Sequence, residues 1–471
     1  MLSDIIILKL CGIIFLKIRR KGNTTRIKLF CIIPLLKIKK TKLYTKIYFC
    51  GLLIISIKDK IWIDFEKCKK NYNKILKKLQ SKIKNKEKIN VVFLVNELPK
   101  FKYKYLYNIM SKSDKFNIKF AISIRTNFCG IPKEQEKCIY NDLVLYFKKN
   151  NYDYLELHNI NDKTNSINLK SLNPDIVFLT QPWSLQKNED PLSISKYALV
   201  LYTSYFVQNY GIMSMDYKLN FHLYLYRYYV MNKQWEEYYK SNISKEYEIN
   251  VKNIYGIGHV QLDNFLDMPD ENNIENYVIY APHHSIYHKN CISKDGEYYA
   301  TFDIYGKDIL EYAKKYPEIK WVFKPHPTLK NKLYLIGEMT PDEIENYYKE
   351  WEKIGIACYD CEYVDLFKQS KVLITDCGSF TTEYFCTKKP LIHLISKHFN
   401  FKIPPQTKEI FDTFYKVNEI NDLYKYLDEI LINNNDYMKD KRLEVLKKQN
   451  LLGTNASENV LNDINNFLGI K

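Results

Sequence analysis

The sequence predicts an α/β protein made of two doubly wound, Rossmann-like halves. From Asn90 onward, apolar runs of strand length alternate with amphipathic stretches of helix length. The runs fall into two series, and in the second series short polar motifs rich in His, Pro and Ser follow directly on individual runs. That alternation is what a parallel sheet covered by helices requires, because parallel neighbours must be joined by crossover connections.

The first series is VVFLV (91–95), IKFAISI (118–124), DIVFLT (175–180) and ALVLYT (198–203). The second is YVIYA (277–281), KWVFK (320–324), IACYD (356–360), KVLIT (371–375) and PLIHL (390–394). Between them, DIYGKDILEYAKKY (303–316) and PDEIENYYKEWEKI (341–354) have helical spacing, the latter with Pro341 and Asp342 in its first turn. The expected organisation is a membrane-associating segment over 1–66, a basic linker helix over 67–88, one Rossmann-like domain over 89–262, a second over 263–440, and C-terminal helices over 441–471. With 471 residues, 46% hydrophobic and 27% charged, the chain has material for two or three cores, which excludes global disorder.

The net charge of +17 is unevenly placed. Residues 1–88 hold 24 Lys and Arg against 5 Asp and Glu, a balance of +19, and the rest of the chain balances at −2. Outside the N-terminal segment there is no basic excess for nucleic acid to bind, so a nucleic-acid partner is not expected. Within that segment the runs CGIIFLKI, CIIPLLKI and CGLLIISI, from Cys11, Cys31 and Cys50, resemble one another. Each is too short to span a bilayer, which takes about 20 residues as a helix. Two readings stand: apolar patches dipping into an anionic inner-membrane surface beside Lys/Arg clusters, or strands of a small subdomain. Eleven cysteines without regular spacing argue for reduced, cytoplasmic thiols rather than a disulfide scaffold, and Cys358 with Cys361 forms a lone CxxC.

Three motifs sit at strand ends of the second half, and ligands of open α/β sheets bind outside the carboxyl ends of the strands. APHHS supplies Pro282, His283, His284 and Ser285; KPHP supplies Lys324 and His326; TDCGSFTTEYF supplies Asp376, Gly378, Ser379, Phe380, Thr381, Thr382 and Glu383. Prolines on both sides of His326 fix its direction, and an imidazole beside Lys324 suits a phosphate. Gly378 allows close approach of a ligand to a helix start whose amides are unpaired, with Ser379, Thr381 and Thr382 hydroxyls beside them. His283, His284 and His288 lack the further ligands that would complete a metal site, so neither metal nor cofactor is expected.

At these residues the sequence resembles the CDP-glycerol glycerophosphotransferase family, whose enzymes build teichoic acids and related polyol-phosphate polymers. GIGHVQLDNF (256–265), the Ala-Pro motif, KPHP, the TDxxS…E motif and the downstream KKPLIHL (388–394) occur in the family's order. The resemblance implies a GT-B fold, a CDP-polyol donor held mainly by the C-terminal domain, and a peripheral location on the cytoplasmic face of the membrane. It also implies that His326 meets the donor pyrophosphate and assists departure of CMP, that Ser379 and adjacent amides hold phosphate, and that Glu383 contacts ribose or cytidine. The family's N-terminal Trp-His-Gly segment has no counterpart, since LVLYTSYFVQNYG (199–211) lacks histidine. The candidates for a catalytic base are then His222, His259 and His283. The site so expected has His326 and His283 as catalytic groups and Pro282, His284, Ser285, Lys324, Asp376, Gly378, Ser379, Phe380, Thr381 and Glu383 as substrate contacts. The expected reaction moves a polyol phosphate, glycerol phosphate foremost, from a CDP-polyol to a hydroxyl of a polymer or lipid-linked glycan. Two alternatives remain: an inverting GT-B glycosyltransferase using a nucleotide sugar for capsule or lipooligosaccharide synthesis, and a non-catalytic membrane-bound glycan-binding protein.

Overall fold

The computed structural model describes the strands within residues 5–58 and residues 60–126, 133–160, 166–183, 185–208, 219–270, 274–288, 298–359, 363–399 and 403–470. Three sheets carry the fold. The first is a six-stranded antiparallel meander, β1 to β6, over Ile5–Leu10, Ile13–Lys21, Thr24–Leu29, Ile33–Lys40, Tyr44–Phe49 and Leu52–Lys58. The three similar N-terminal runs thus enter β2, β4 and β6, the strand reading of that segment. Strand Thr, Ile and Tyr recur through these segments, the residue types that favour a pleated backbone.

The second sheet has seven parallel strands: β7 (Ile89–Val95), β8 (Phe116–Ile122), β9 (Tyr154–Glu156), β10 (Ile176–Leu179), β11 (Leu199–Thr203), β12 (Arg227–Val230) and β13 (Ile254–Gly256). Their order is β13-β12-β11-β10-β7-β8-β9. The third sheet has six parallel strands: β14 (Tyr277–Ala281), β15 (Trp321–Phe323), β16 (Ile356–Ala357), β17 (Ser370–Thr375), β18 (Leu391–Leu394) and β19 (Tyr415–Val417), in the order β16-β15-β14-β17-β18-β19. Each sheet is a doubly wound half, and its central strands are buried almost residue for residue, as strands covered on both faces must be. In the C-terminal half, Phe323 stacks on Trp351 at 5.1 Å between ring centroids and ties β15 to the covering helix Pro341–Ile354. The strands β9, β12, β13 and β19 go beyond the sequence expectation; three of them are only three residues long.

Three expectations are corrected. The basic helix begins at Lys60 rather than 67 and ends at Lys84, forming α1. It is a covering helix of the N-terminal domain rather than a free linker: Cys68, Tyr72 and Leu79 are buried, and the Tyr72 hydroxyl donates to the Tyr224 carbonyl at 2.5 Å. The C-terminal helices are not a separate unit. The last one packs against the N-terminal domain, where the Asp263 carboxylate accepts the Ala456 and Ser457 amides at 3.0 and 2.6 Å and caps it. Cys358 is disulfide-bonded, correcting the expectation of a reduced thiol there; Cys361 lies outside the described residues. Cys68, Cys377 and Cys386 are free thiols. Among the described residues no helix is long and apolar enough to cross a membrane.

Candidate functional site at the C-terminal switch point

Strand order reverses direction between β14 and β17, so the connections leaving these two neighbours run to opposite faces and leave a crevice at their carboxyl ends. The loops after β14, β15 and β17 all open there. Backbone bonds join them: the His326 amide donates to the Pro282 carbonyl at 2.9 Å, and the Thr375 hydroxyl donates to the Ala281 carbonyl at 2.6 Å. The buried Pro282 therefore contributes through its carbonyl.

These constraints bring three imidazoles together. Ring centroids of His284 and His326 are 4.1 Å apart, those of His283 and His284 4.2 Å, and those of His283 and His326 4.7 Å. His288 is not one of the group; its Nε2 lies 3.3 Å from Glu338 Oε1. The potential ligand atoms of His283, His284 and His326 fall within 4.8 Å of one another, a spacing a cation could use. The hydrogen bonds point elsewhere. Nδ1 of His326 accepts the Thr328 amide at 3.2 Å, and Nδ1 of His283 accepts the Ser285 amide at 3.2 Å. Both rings then carry their proton on Nε2, whereas a metal-bound imidazole normally donates through its other nitrogen. The Nε2–H of His326 is then a donor suited to an anion, while that of His283 lies 3.1 Å from Tyr299 Oη.

Burial drives all three histidines toward the neutral form. It holds His326 well below the usual range, helped by His284, Lys324 and Lys100; His283 is held down in the same way, with His284 and His326 adding to burial. His284 is lowered to about 4 by burial and by Lys332. Neither ring nitrogen of His284 has a hydrogen-bond partner among the described residues. An arriving phosphate would reverse the sign of the local field and favour protonation of the same rings.

Asp376 is a corrected contact. Its carboxylate is fully engaged by the protein, accepting the His283 amide at 2.7 Å, the Thr301 amide at 2.6 Å and the Thr301 hydroxyl at 2.9 Å. Burial pushes it up to about 7 against these donors. Asp376 thus positions the His283 loop and the start of the helix Phe302–Lys315. The helix after β17, α2, runs from Gly378 to Phe385 without a side-chain hydrogen-bond cap from Cys377, and its Phe380 amide donates to the Cys377 carbonyl at 3.2 Å. Ser379 and Phe380 are half-buried at its mouth. Thr381 and Thr382 are turned inward and fully buried, Thr381 donating to the Gly378 carbonyl at 2.8 Å, so they do not face a ligand.

Glu383 is also removed from the open crevice. It is 1% exposed, and its carboxylate accepts Tyr363 Oη at 2.6 Å and Gln261 Nε2 at 3.1 Å, with Lys102 Nζ at 3.7 Å. Lys102 and Gln261 come from the N-terminal domain, so Glu383 closes a polar clasp between the two halves. Lys324, also buried, has its ammonium 5.8 Å from the Tyr363 ring and 5.9 Å from that of Phe380, next to the clasp.

The base candidates separate clearly. His222 is 2% exposed in an aromatic cluster with Tyr202, Phe221 and Tyr228, away from any opening. His259 is fully buried and donates through Nε2 to the Ser204 and Phe206 carbonyls; burial lowers it to about 3. His283 has Nδ1 occupied by Ser285 and Nε2 3.1 Å from Tyr299 Oη. None presents an open lone pair to an acceptor hydroxyl. Residues 209–211 of the segment in which a histidine was missed lie outside the described residues.

Sequence reasoning missed the polar ends of the N-terminal strands. After β7 come Asn96, Glu97, Lys100 and Lys102, and after β10 comes Gln181. Gln181 Nε2 donates to Asn96 Oδ1 at 2.6 Å and to Glu97 Oε1 at 2.9 Å, while Lys100 Nζ donates to Glu97 Oε1 at 3.0 Å and bonds Gln181. Arg125 Nη1 lies 3.2 Å from Glu97 Oε2. Their position at strand ends was a usable signal; without histidine or a motif it did not stand out.

No family profile matches the chain. It is 26% identical over 157 residues to the minor teichoic acid biosynthesis protein GgaB of Bacillus subtilis (strain 168), a match covering 31% of this chain and 15% of that protein. A crystal structure of UDP-N-acetylglucosamine 2-epimerase superposes with a TM-score of 0.51 at 12% identity, over 82% of this chain and 97% of the epimerase. The wall teichoic acid polymerase TagF aligns at TM-score 0.47 and 13% identity, over 88% of this chain and 99% of that one. The chain has the GT-B fold, and its similarity to a teichoic acid biosynthesis protein supports the family that its motifs resemble, the CDP-glycerol glycerophosphotransferases.

Proposed function

We propose that the protein is a transferase that moves a polyol phosphate, glycerol phosphate foremost, from a CDP-polyol to a hydroxyl of a cell-surface polymer or lipid-linked glycan. The observation that carries this reading is the convergence of His283, His284 and His326 with the start of α2 at one switch point. Neutral Nε2–H donors and helix amides are what a pyrophosphate needs: they bond its oxygens without first being released from ion pairs. A phosphoryl group in transfer spreads charge over its non-bridging oxygens, and catalysis there is positioning plus neutralisation.

In this reading the acceptor oxygen forms a bond to the β-phosphorus as the bond to the bridging oxygen breaks. CMP leaves with the electron pair, and the acceptor hydroxyl loses its proton to solvent or to a base. His326 Nε2–H donates toward the bridging oxygen, and Ser379 with the first amides of α2 holds the phosphate that stays with CMP. The three rings are too close together to stand on both sides of an in-line displacement, so all of them belong to the leaving-group side. The acceptor enters from the N-terminal domain, with the enzyme held at the cytoplasmic face of the membrane by its basic N-terminal segment.

The test is a panel of CDP-glycerol, other CDP-polyols and nucleotide sugars offered with membranes carrying acceptor. Release of CMP from a CDP-polyol, dependent on acceptor, is the expected outcome. Release of a nucleoside diphosphate from a sugar donor would instead establish a glycosyltransferase, and no release from any donor would favour a glycan-binding role.

A further inference from the structure

Beside the polar clasp, the two halves enclose a cavity of about 150 Å³. Lys102, Gln261 and Tyr363 of the clasp line it, and all three also meet Glu383. The turn Leu98–Lys100 and the helix Lys104–Met110 form one wall, the chain between β13 and β14 a second through Asn264 and Asp267, and the helix Val364–Gln369 of the C-terminal domain a third. Tyr363 is a shared wall: its ring centroid is 4.8 Å from that of Phe380, at the mouth of α2. Two charged lining groups are already used by the protein, Lys102 in the clasp and Asp263 as the cap of the last helix. Five others are not: the side chains of Tyr105, Asn108, Asp267, Asp365 and Lys368 make no hydrogen bond or ion pair among the described residues, although carboxylates and an ammonium face the same cavity.

We propose that this cavity is a second ligand site, which takes one neutral polyhydroxy unit, a sugar or polyol residue, between the two domains. Charge sets the class of ligand. Lys104 and Lys368 balance Asp267 and Asp365, so the lining has no net sign with which to select an ion. A hydroxyl both donates and accepts, and a compound carrying several can therefore satisfy ammonium, amide, phenol and carboxylate together. The rings of Phe101, Tyr105 and Tyr146 on the lining supply the apolar surface against which the C–H face of such a unit packs. Its contacts come from Tyr105, Asn108 and Asp267 on one side and from Asp365 and Lys368 on the other, so the ligand favours the domain arrangement seen here over any in which the halves part. Gln261 and Tyr363 line the cavity and hold Glu383 of α2, so the site shares residues with the phosphate side of the crevice, and any coupling between the two is reciprocal. The assignment does not depend on which group the crevice transfers.

The test titrates the full-length protein with glycerol, sorbitol, glucose and N-acetylglucosamine, read by saturation-transfer NMR without any donor, so a failed transfer assay leaves it standing. Saturable binding of at least one of them is expected. Tyr105→Phe and Lys368→Met, one from each domain, should each weaken it by about five- to tenfold, the loss of one hydrogen bond. Asn108→Ala, at an exposed position, repeats the test should either variant fail to fold. Maltotetraose compared with glucose separates the two sources of such a unit: tighter binding of the tetramer marks one unit of a glycan chain, and equal or weaker binding marks a free sugar. Absence of saturable binding by all four compounds would overturn the assignment. So would binding that is weakened by the variants of one domain alone, which would place the ligand on that domain's surface, or by none of them.

Discussion

His326 is the residue on which most constraints converge. Pro325 and Pro327 limit its backbone, its amide is bonded to Pro282, and Thr328 fixes its tautomer. Replacing it with alanine removes the donor to the leaving oxygen and should lower turnover by at least about 100-fold in an acceptor-dependent CMP-release assay; near-normal turnover would take it out of the mechanism. The histidine cluster also predicts how stability follows pH. Its members are neutral when folded and titrate near 6.5 when unfolded, so the unfolded chain binds more protons below that pH. Stability should fall as pH drops from about 6.5 toward 4, each histidine contributing up to about 1.4 kcal/mol per unit. Asp376, raised to about 7, acts in the opposite direction, losing stability as pH rises from about 4 to 7. Three histidines outweigh one carboxyl, so urea midpoints measured across this range should decline on acidification. KPHP and TDCGS were legible in the sequence because proline and glycine punctuate strand ends. That Asp376 and Glu383 turn inward was not legible, since their partners Thr301 and Lys102 lie 75 and 281 residues away.

Element by element, apolar runs revealed the strands that are buried on both faces. Short strands such as β13, where Gly256 allows the Asn232 carbonyl within 2.2 Å of an added Cβ, carry too little pattern to detect. The same connection holds Gly258 at φ +115°, with Ala456 packed so that an added Cβ would lie 2.5 Å from its own Cβ. This close approach is where the last helix seats on the N-terminal domain. Gly258→Ala should destabilise the fold by about 2–4 kcal/mol, through strain and overpacking together. A urea midpoint within error of wild type would show that the helix is not seated there.

The whole molecule joins two domains through buried polar contacts rather than apolar surface alone. Lys102, Gln261, Tyr363 and Glu383 meet at the seam, and the C-terminal helix returns to the first domain. No local pattern announces such a seam, because each of its residues is an ordinary polar residue in sequence. The basic N-terminal segment has its own six-stranded sheet ahead of α1, so deleting residues 1–58 leaves α1 and both doubly wound domains whole. That deletion should move the protein from membranes to the soluble fraction on sedimentation; unchanged membrane association would refute the anchoring role. The central claim is that phosphorus, not only a polyol or sugar, crosses the cleft. Following CDP-glycerol labelled at its β-phosphorus tests this most directly: the account predicts that the label enters the polymer and that unlabelled CMP is released. Label recovered in the released nucleotide would contradict it.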